Sequence, residues 1–271
     1  MKKTRWEPTF AEVWTRYIPP ARPSVAEITL YTRYLRLLQK KKTGKIKLLV
    51  LGSTPEFRDW GYEENLDVTV IDYNADNSKV LGSYMRHKEN KEHFFELDWK
   101  NMQFSNEFDI IVGDHAISVL QKENVKKVLE NISNALTDDG FFITKHYLRL
   151  KKKERSLENI LKDYYKNQSN YGIYQATSTE IVTSQTDPKT DYFNFAKALE
   201  SLQQLSNQGK LKKEDLKIFY FLNWENMKFD LYAPTKSDWG NLCKKYFKIY
   251  KIDYSEDIYA KDMPIYFLKK K

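Results

Sequence analysis

The sequence has little with which to build cross-links. A single cysteine, Cys243, in 271 residues cannot close an internal disulfide. No Cys and His residues stand at the spacing of a structural zinc site, so no metal is expected. No stretch approaches the roughly 18 apolar residues of a membrane span. Residues 1–30, interrupted by Arg5, Glu7, Glu12, Arg16 and Arg22, lack the apolar core of a signal peptide. The expected location is the cytoplasm.

Core-forming residues are plentiful: 41% of the chain is hydrophobic and 15% aromatic, enough to exclude a chain too polar to fold by itself. The length suits one large domain or two small ones. A formal charge of +8 and a pI near 9.1 would attract polyanions, RNA among them. Against this, most lysines stand singly among acids on helix-like surfaces, and the clusters Lys40–Lys42, Lys151–Lys153 and Lys269–Lys271 fall at element ends. That pattern favours a solvated surface over an RNA-binding one.

Hydrophobic periodicity sets the fold class. From Ser24 to Lys41 apolar residues recur at three- and four-residue steps (Val25, Ile28, Leu30, Tyr31, Tyr34, Leu35, Leu38), which predicts an amphipathic helix with Ser24 as N-cap. Residues 45–51 then form an apolar run ended by Gly52, as in a buried parallel strand. Further strands are expected at 67–72, 94–97, 108–112 and 141–146, with a helix over 124–136 stopped by Gly140. Residues 151–232 break the rhythm, with helical stretches near 157–165 and 192–205 and a Ser/Thr-rich piece around 177–190. A helix at 236–246 and strands at 248–254 and 264–268 close the chain, the last two joined by a connection short enough to pair them antiparallel.

In an open parallel sheet, ligands bind beyond the carboxyl ends of the strands. The residues there are Gly52, Ser53, Thr54, Pro55 and Glu56 after the first strand, and Asp72, Tyr73 and Asn74 after the second. Asp98 and Trp99 follow the third, and Gly113, Asp114 and His115 the fourth. Three acids and a glycine turn converge on one crevice. An acid such as Asp72 at the tip of the second strand can accept both hydroxyls of a ribose, or can instead cap the next helix.

The segments Leu49-Val50-Leu51-Gly52-Ser53-Thr54-Pro55-Glu56, Val70-Ile71-Asp72-Tyr73-Asn74, Glu96-Leu97-Asp98-Trp99 and Ile111-Val112-Gly113-Asp114-His115 resemble, in order and spacing, the motifs of class I S-adenosylmethionine-dependent methyltransferases. The resemblance covers most of the chain and extends to the final strand. It implies an α/β fold with a seven-stranded, mostly parallel sheet whose last strand is antiparallel. It adds an N-terminal helical cap and a helical insertion after the fifth strand.

By the same resemblance Tyr73 or Asn74 lies along the adenine, and Asp98 accepts from its amine beside a Trp99 backbone donor, although Trp99 can equally be a core aromatic. The first turn lacks the family's further glycines at Thr54 and Glu56, so Gly52, Ser53, Thr54 and Pro55 are expected to hold the methionine portion through the Thr54 hydroxyl and backbone amides. A turn of this kind followed by Arg58 and Asp59 is similar to one in some members.

Upstream, Arg22 can pair with the methionine carboxylate or with a surface acid. Trp6, Trp14 and Tyr17 can wall the site, with core packing the favoured reading. Asp114 and Gly113 complete the cofactor set. His115 is the candidate catalytic base, since an imidazole titrates near neutral pH, with a packing role as the alternative. His146 is a weaker candidate, and His87 and His93 read as surface residues. The sequence shows neither an Asn-Pro-Pro-Tyr-type motif after the fourth strand nor a cysteine placed to act as a nucleophile, which disfavours methylation of DNA bases.

The expected division is 1–44 as N-terminal cap and first helix, 45–150 as cofactor-binding core, 151–232 as a helical lid on the acceptor side, and 233–271 as the end of the core. The expected activity is methyl transfer from S-adenosyl-L-methionine to an oxygen or nitrogen of a small molecule. An RNA methyltransferase and a non-catalytic cofactor-binding protein are the alternatives. A nicotinamide enzyme is disfavoured, because Gly-x-Gly-x-x-Gly does not follow the first strand.

Overall fold

The computed structural model describes residues 11–89, 91–149, 155–167, 169–227 and 229–271. The elements run α1 (Val25–Gln39), β1 (Lys47–Leu51), α2 (Pro55–Glu63), β2 (Asp67–Asp72), α3 (Ala75–Gly82), β3 (His93–Glu96) and β4 (Phe108–Asp114). They continue with α4 (Lys122–Ala135), β5 (Leu136–Lys145), α5 (Leu157–Lys166), α6 (Ile173–Gln185) and β6 (Tyr192–Asn194). The chain then forms α7 (Phe195–Asn207), α8 (Lys213–Phe221), β7 (Asp230–Tyr232), α9 (Lys236–Tyr246), β8 (Phe247–Asp253) and β9 (Ile265–Lys270).

Seven strands form one sheet in the order β3-β2-β1-β4-β5-β9-β8. The first five pair in parallel, with Val50 of β1 opposite both Val70 and Val112, and β9 enters antiparallel to β5 and β8. This is the sheet the sequence implied. Its order reverses between β1 and β4, which opens a crevice at their carboxyl ends.

Both faces are covered, as all-apolar strands require. On one side α1 and α2 lay Leu35, Phe57 and Trp60 against Leu48, Val50 and Phe267. On the other, α4 and α9 lay Val128, Leu129, Trp239 and Cys243 against Leu49, Ile111 and Phe142. Helix α1 starts at a capping box: Ser24 Oγ accepts from Glu27 N–H while the Glu27 carboxylate accepts from Ser24 N–H.

The insertion differs from expectation in three places. Its Ser/Thr-rich piece contains α6, where Thr177 inside the helix and Thr186 at its C-cap return their hydroxyls to the Ile173 and Val182 carbonyls, both at 2.6 Å, and are so satisfied when buried. The expected helix over 192–205 begins as strand β6, which pairs with β7, and only then turns helical under an Asn194 cap. Helix α8 carried no signal that was read. The chain also turns to strand before Gly140, since α4 ends at Ala135 and β5 starts at Leu136.

The insertion has its own apolar core, in which Tyr174, Phe193, Phe195, Phe219 and Trp224 meet edge to face. Trp14 and Tyr17 of the N-terminal segment pack with it. Among the described residues, no helix is long and apolar enough to cross a membrane.

Candidate active site

A cavity of about 450 Å³ lies at the carboxyl ends of β1, β2 and β4, within the size range of small-molecule sites. Its walls include Gly52, Ser53, Thr54, Asp72, Tyr73, Asp98, Trp99, Asp114 and His115, so nine of the thirteen site residues expected from sequence meet in one place. Ala11, Trp14 and Ala21 of the N-terminal segment, Asn77 and Leu81 of α3, and Ala116, Val119 and Leu120 after β4 supply most of the remainder.

The first turn is built by a backbone that only glycine adopts without strain. Gly52 has φ +84°, and its N–H donates to the Ile71 carbonyl at 2.8 Å. Trp99 is fixed beside it: its indole N–H donates to the same Ile71 carbonyl at 3.1 Å, and a Cβ on Gly52 would touch the ring at 3.7 Å. Its backbone carbonyl accepts from the Asn131 amide. Trp99 is therefore both a core aromatic and a cavity wall.

Asp72 is buried, and burial raises its carboxyl above the usual range against hydrogen bonds from Ser53 and from backbone N–H groups, which lower it. Ser53 Oγ donates to Oδ2 at 2.8 Å and Asn74 N–H to Oδ1 at 3.1 Å. Each carboxylate oxygen keeps capacity for a further donor. Asp72 is not the cap of α3. Asn74 takes that role, accepting from Asn77 N–H at 3.0 Å, and it does not line the cavity. Of the two residues expected along the adenine, Tyr73 alone reaches it.

Three other expected residues are also set apart from the cavity wall. Arg22 Nε lies 3.5 Å from Glu56 Oε1, the ion-pair alternative. Pro55 is the first residue of α2. Gly113 sits inside β4, where a Cβ would meet that of Ala116 at 2.6 Å, so its role there is close packing. Trp14 lines the cavity, Tyr17 packs edge to face against it at 5.9 Å, and Trp6 lies outside the described residues.

Among the described residues none of 155–232, the expected lid, lines this cavity. The insertion reaches it at one remove. The Tyr174 and Tyr147 hydroxyls lie 3.4 Å apart, and the Tyr147 ring stacks on His115 at 4.5 Å.

His115 departs most from expectation. It is held in the left-handed region at φ +52°, uncommon for a side chain of this size. Its Nε2–H donates to the Pro20 carbonyl at 2.9 Å, since a carbonyl can only accept, and this leaves Nδ1 as the lone-pair nitrogen. Burial, then the positive charge of Lys145, push its pKa down to about 3. The ring is neutral at physiological pH and does not titrate near 6.5 as an exposed histidine would.

His146 is fully buried, touching Thr144 Oγ1 at 3.1 Å and the Trp239 ring, and is not a wall of the cavity. His93 is exposed and His87 half-buried, and Cys243 is buried in the core.

Beneath the cavity lies a charge cluster that was not read from sequence. The Lys145 ammonium, fully buried at the end of β5, donates to Glu27 Oε1 at 2.7 Å and Oε2 at 2.5 Å, and lies 3.6 Å from Asp114 Oδ1. The Tyr259 hydroxyl also donates to Glu27, at 3.2 Å. Burial raises the Asp114 pKa to about 6, against the lowering charge of Lys145. The signal was available: Glu27 sits on the apolar stripe of α1, and Lys145 follows the all-apolar run Phe141–Ile143.

No protein-family model matches the chain, and no curated protein matches it. Solved structures do resemble it in fold. A S-adenosylmethionine-dependent methyltransferase from Clostridium acetobutylicum aligns over 97% of this chain and 98% of its own, with TM-score 0.59 and 12% identity. A Rhodobacter sphaeroides protein bearing the name of Zn-dependent alcohol dehydrogenases aligns over 97% and 99%, with TM-score 0.60 and 16% identity. A Burkholderia thailandensis 1,6-didemethyltoxoflavin-N1-methyltransferase, solved with bound 1,6-didemethyltoxoflavin and S-adenosylhomocysteine, aligns over 91% of this chain and 79% of its own, with TM-score 0.50 and 10% identity. At such identities what is shared is the fold, and it is that of class I methyltransferases.

Proposed function

We propose that this protein transfers a methyl group from S-adenosyl-L-methionine to a nitrogen or oxygen of a small-molecule acceptor. The observation that carries the reading is the buried Asp72 carboxylate, on the same cavity wall as the positive-φ Gly52 turn and the fixed Trp99 ring.

The donor set fits the cofactor. Asp72 retains acceptor capacity for two ribose hydroxyls, and Tyr73 and Trp99 offer flat apolar surface to a purine. Asp98, half-exposed at the rim, accepts from Lys100 N–H at 3.0 Å and can also accept from an exocyclic amine. Ser53, Thr54 and the backbone of the Gly52 turn are left for the methionine portion. When bound, the cofactor supplies an electrophilic methyl group on a sulfonium. The chain's part is to hold the acceptor in line with it and exclude water, which a direct displacement needs more than it needs a covalent nucleophile. A small acceptor suits a cavity of this volume roofed by Ala11, Trp14 and Ala21.

Calorimetry with S-adenosylmethionine and S-adenosylhomocysteine tests the reading. Both are expected to bind. Asp72→Ala should weaken both by about 1.5–3 kcal/mol, the scale of hydrogen bonds to a charged group, or roughly 10- to 100-fold. Absence of binding to the wild-type protein rejects the function. Undiminished binding by a folded Asp72→Ala protein rejects the ribose assignment.

A further inference from the structure

Two adjacent cavity residues, Asp114 and His115, carry three buried side-chain atoms with no hydrogen-bond partner among the described residues: Asp114 Oδ1, Asp114 Oδ2 and His115 Nδ1. Buried polar atoms are normally paired, and unpaired ones at a cavity point to a ligand that pairs them. All three are of one kind. An ionised carboxylate only accepts, and Nδ1 is the lone-pair nitrogen because Nε2–H is committed to Pro20. The Asp114 carboxylate is 3% exposed and its contact with Lys145, at 3.6 Å, is an ion pair without a hydrogen bond.

Charge gives a second, independent argument. The groups that meet here are Glu27 from α1, Asp114 from β4, Lys145 from β5 and neutral His115. The Glu27 carboxylate takes two hydrogen bonds from the Lys145 ammonium, which also faces Asp114 Oδ1 at 3.6 Å. Two acids against one base leave a net charge of −1 when Asp114 is ionised. Unpaired acceptors beside a net negative charge disfavour carboxylates and phenolates and favour a ligand that brings N–H groups.

Resting on the methyl-transfer reading above, we propose that the acceptor is a primary amine, held by hydrogen bonds from its nitrogen to the Asp114 carboxylate and to His115 Nδ1. A protonated amine matches the charge, and its three hydrogens match the acceptor atoms. For transfer the amine gives one proton to the Asp114 carboxylate, which frees the nitrogen lone pair. The lone pair then forms the N–C bond as the C–S bond breaks, with the bonding pair left on sulfur as a thioether. The product is an N-methylammonium ion, and the proton on Asp114 leaves to solvent with product release. Burial, by raising Asp114 to about 6, makes it a better proton acceptor than an ordinary aspartate.

The test uses ligand-observed NMR titrations of the full-length protein with benzylamine, benzyl alcohol and benzoate, three probes of one shape, with and without S-adenosylhomocysteine. Benzylamine is expected to bind at least tenfold more tightly than the other two. In Asp114→Asn, which keeps the shape and removes the charge, the preference should fall to twofold or less. Equal binding of benzylamine and benzyl alcohol by the wild-type protein overturns the proposal, and this comparison stands even if the variant does not fold. A folded Asp114→Asn that keeps the amine preference also overturns it. So does one that loses tenfold affinity for S-adenosylhomocysteine but none for 5′-methylthioadenosine, because the carboxylate would then serve the amino acid end of the cofactor. Failure of S-adenosylhomocysteine to bind the wild-type protein rejects the methyl-transfer reading by a separate measurement, while the amine preference is still read without it.

Discussion

Lys145 Nζ lies 2.5 Å from Glu27 Oε2, and neither side chain is more than 1% exposed. The pair ties the start of α1 to the carboxyl end of β5, and Asp114 shares the same ammonium at 3.6 Å. Removing the cation leaves two buried acids with no counter-charge. Lys145→Met should therefore destabilise the fold by about 3–5 kcal/mol, the usual loss when one partner of a buried pair is deleted. Glu27→Leu combined with Lys145→Met should lose less than Lys145→Met alone. Urea unfolding measures both, and a loss under about 1 kcal/mol in the single variant would show that the pair does not hold the fold.

The histidines set a second, pH-dependent expectation. His115 in the folded state is pushed down to about 3, and His146 well below its ordinary value, both chiefly by burial. Below pH 6.5 the unfolded chain binds protons there that the folded protein refuses. The stability these residues contribute is present above pH 6.5 and is lost as pH falls toward 3. Asp114 acts in the opposite sense between its ordinary 3.8 and about 6, where the folded protein holds a proton that the unfolded chain does not, and the raised carboxyls of Glu27, Glu56 and Asp72 act in the same sense as Asp114. His115→Gln should flatten the acid limb by about one proton, or about 1.4 kcal/mol per pH unit. Urea melts between pH 4.5 and 7.5 would show it, and a slope equal to wild type would refute the assignment.

At the glycine turn, Gly52→Ala places a side chain where φ is +84°. The added Cβ meets only Trp99, at an ordinary 3.7 Å, so the penalty is conformational rather than steric. About 1–2 kcal/mol of stability should be lost. Relaxation of the strained turn should also shift Ser53 and Thr54 and weaken S-adenosylhomocysteine binding. Unchanged stability and affinity together would mean that the turn is softer than its geometry suggests.

The sheet was legible because its strands are buried on both faces: Leu48–Leu51 and Ile110–Val112 are apolar throughout, and Val68–Ile71 is interrupted only by Thr69. Ser24 announced the start of α1 as a local N-cap, and strand ends identified by periodicity located most of the cavity wall. What sequence did not yield depends on tertiary burial. Glu27 and Lys145 are 118 residues apart, and nothing local says that they meet. Arg22 offers a guanidinium to any nearby anion, and only the fold assigns it Glu56. The basicity of His115 was read from its residue type, whereas its surroundings decide it. Helix α6 was hidden because Ser and Thr read as loop formers until their hydroxyls find carbonyls one turn back.

His115 is the residue on which the chemistry is most exposed to test. With Nε2–H fixed to Pro20 and the ring stacked on Tyr147, Nδ1 has one orientation and one role, that of a hydrogen-bond acceptor. In the proposed reaction a group so disposed would orient the acceptor nitrogen without serving the nucleoside. His115→Ala should therefore lower turnover by about 100-fold, the lower end of the range for a positioned acid or base, with S-adenosylhomocysteine affinity within about threefold of wild type. Because the imidazole stays neutral down to about pH 3, the rate should show no ionisation near 6.5 that disappears in the variant. An ionisation near pH 6 should instead follow Asp114 and persist in His115→Ala. His115→Asn, which tolerates the left-handed backbone and offers an amide oxygen as acceptor, should recover part of the loss. Initial rates from pH 5 to 9 on wild type and both variants decide it. A wild-type ionisation near 6.5 that is absent from His115→Ala would return His115 to the role of a base, and wild-type turnover in the alanine variant would remove it from the chemistry.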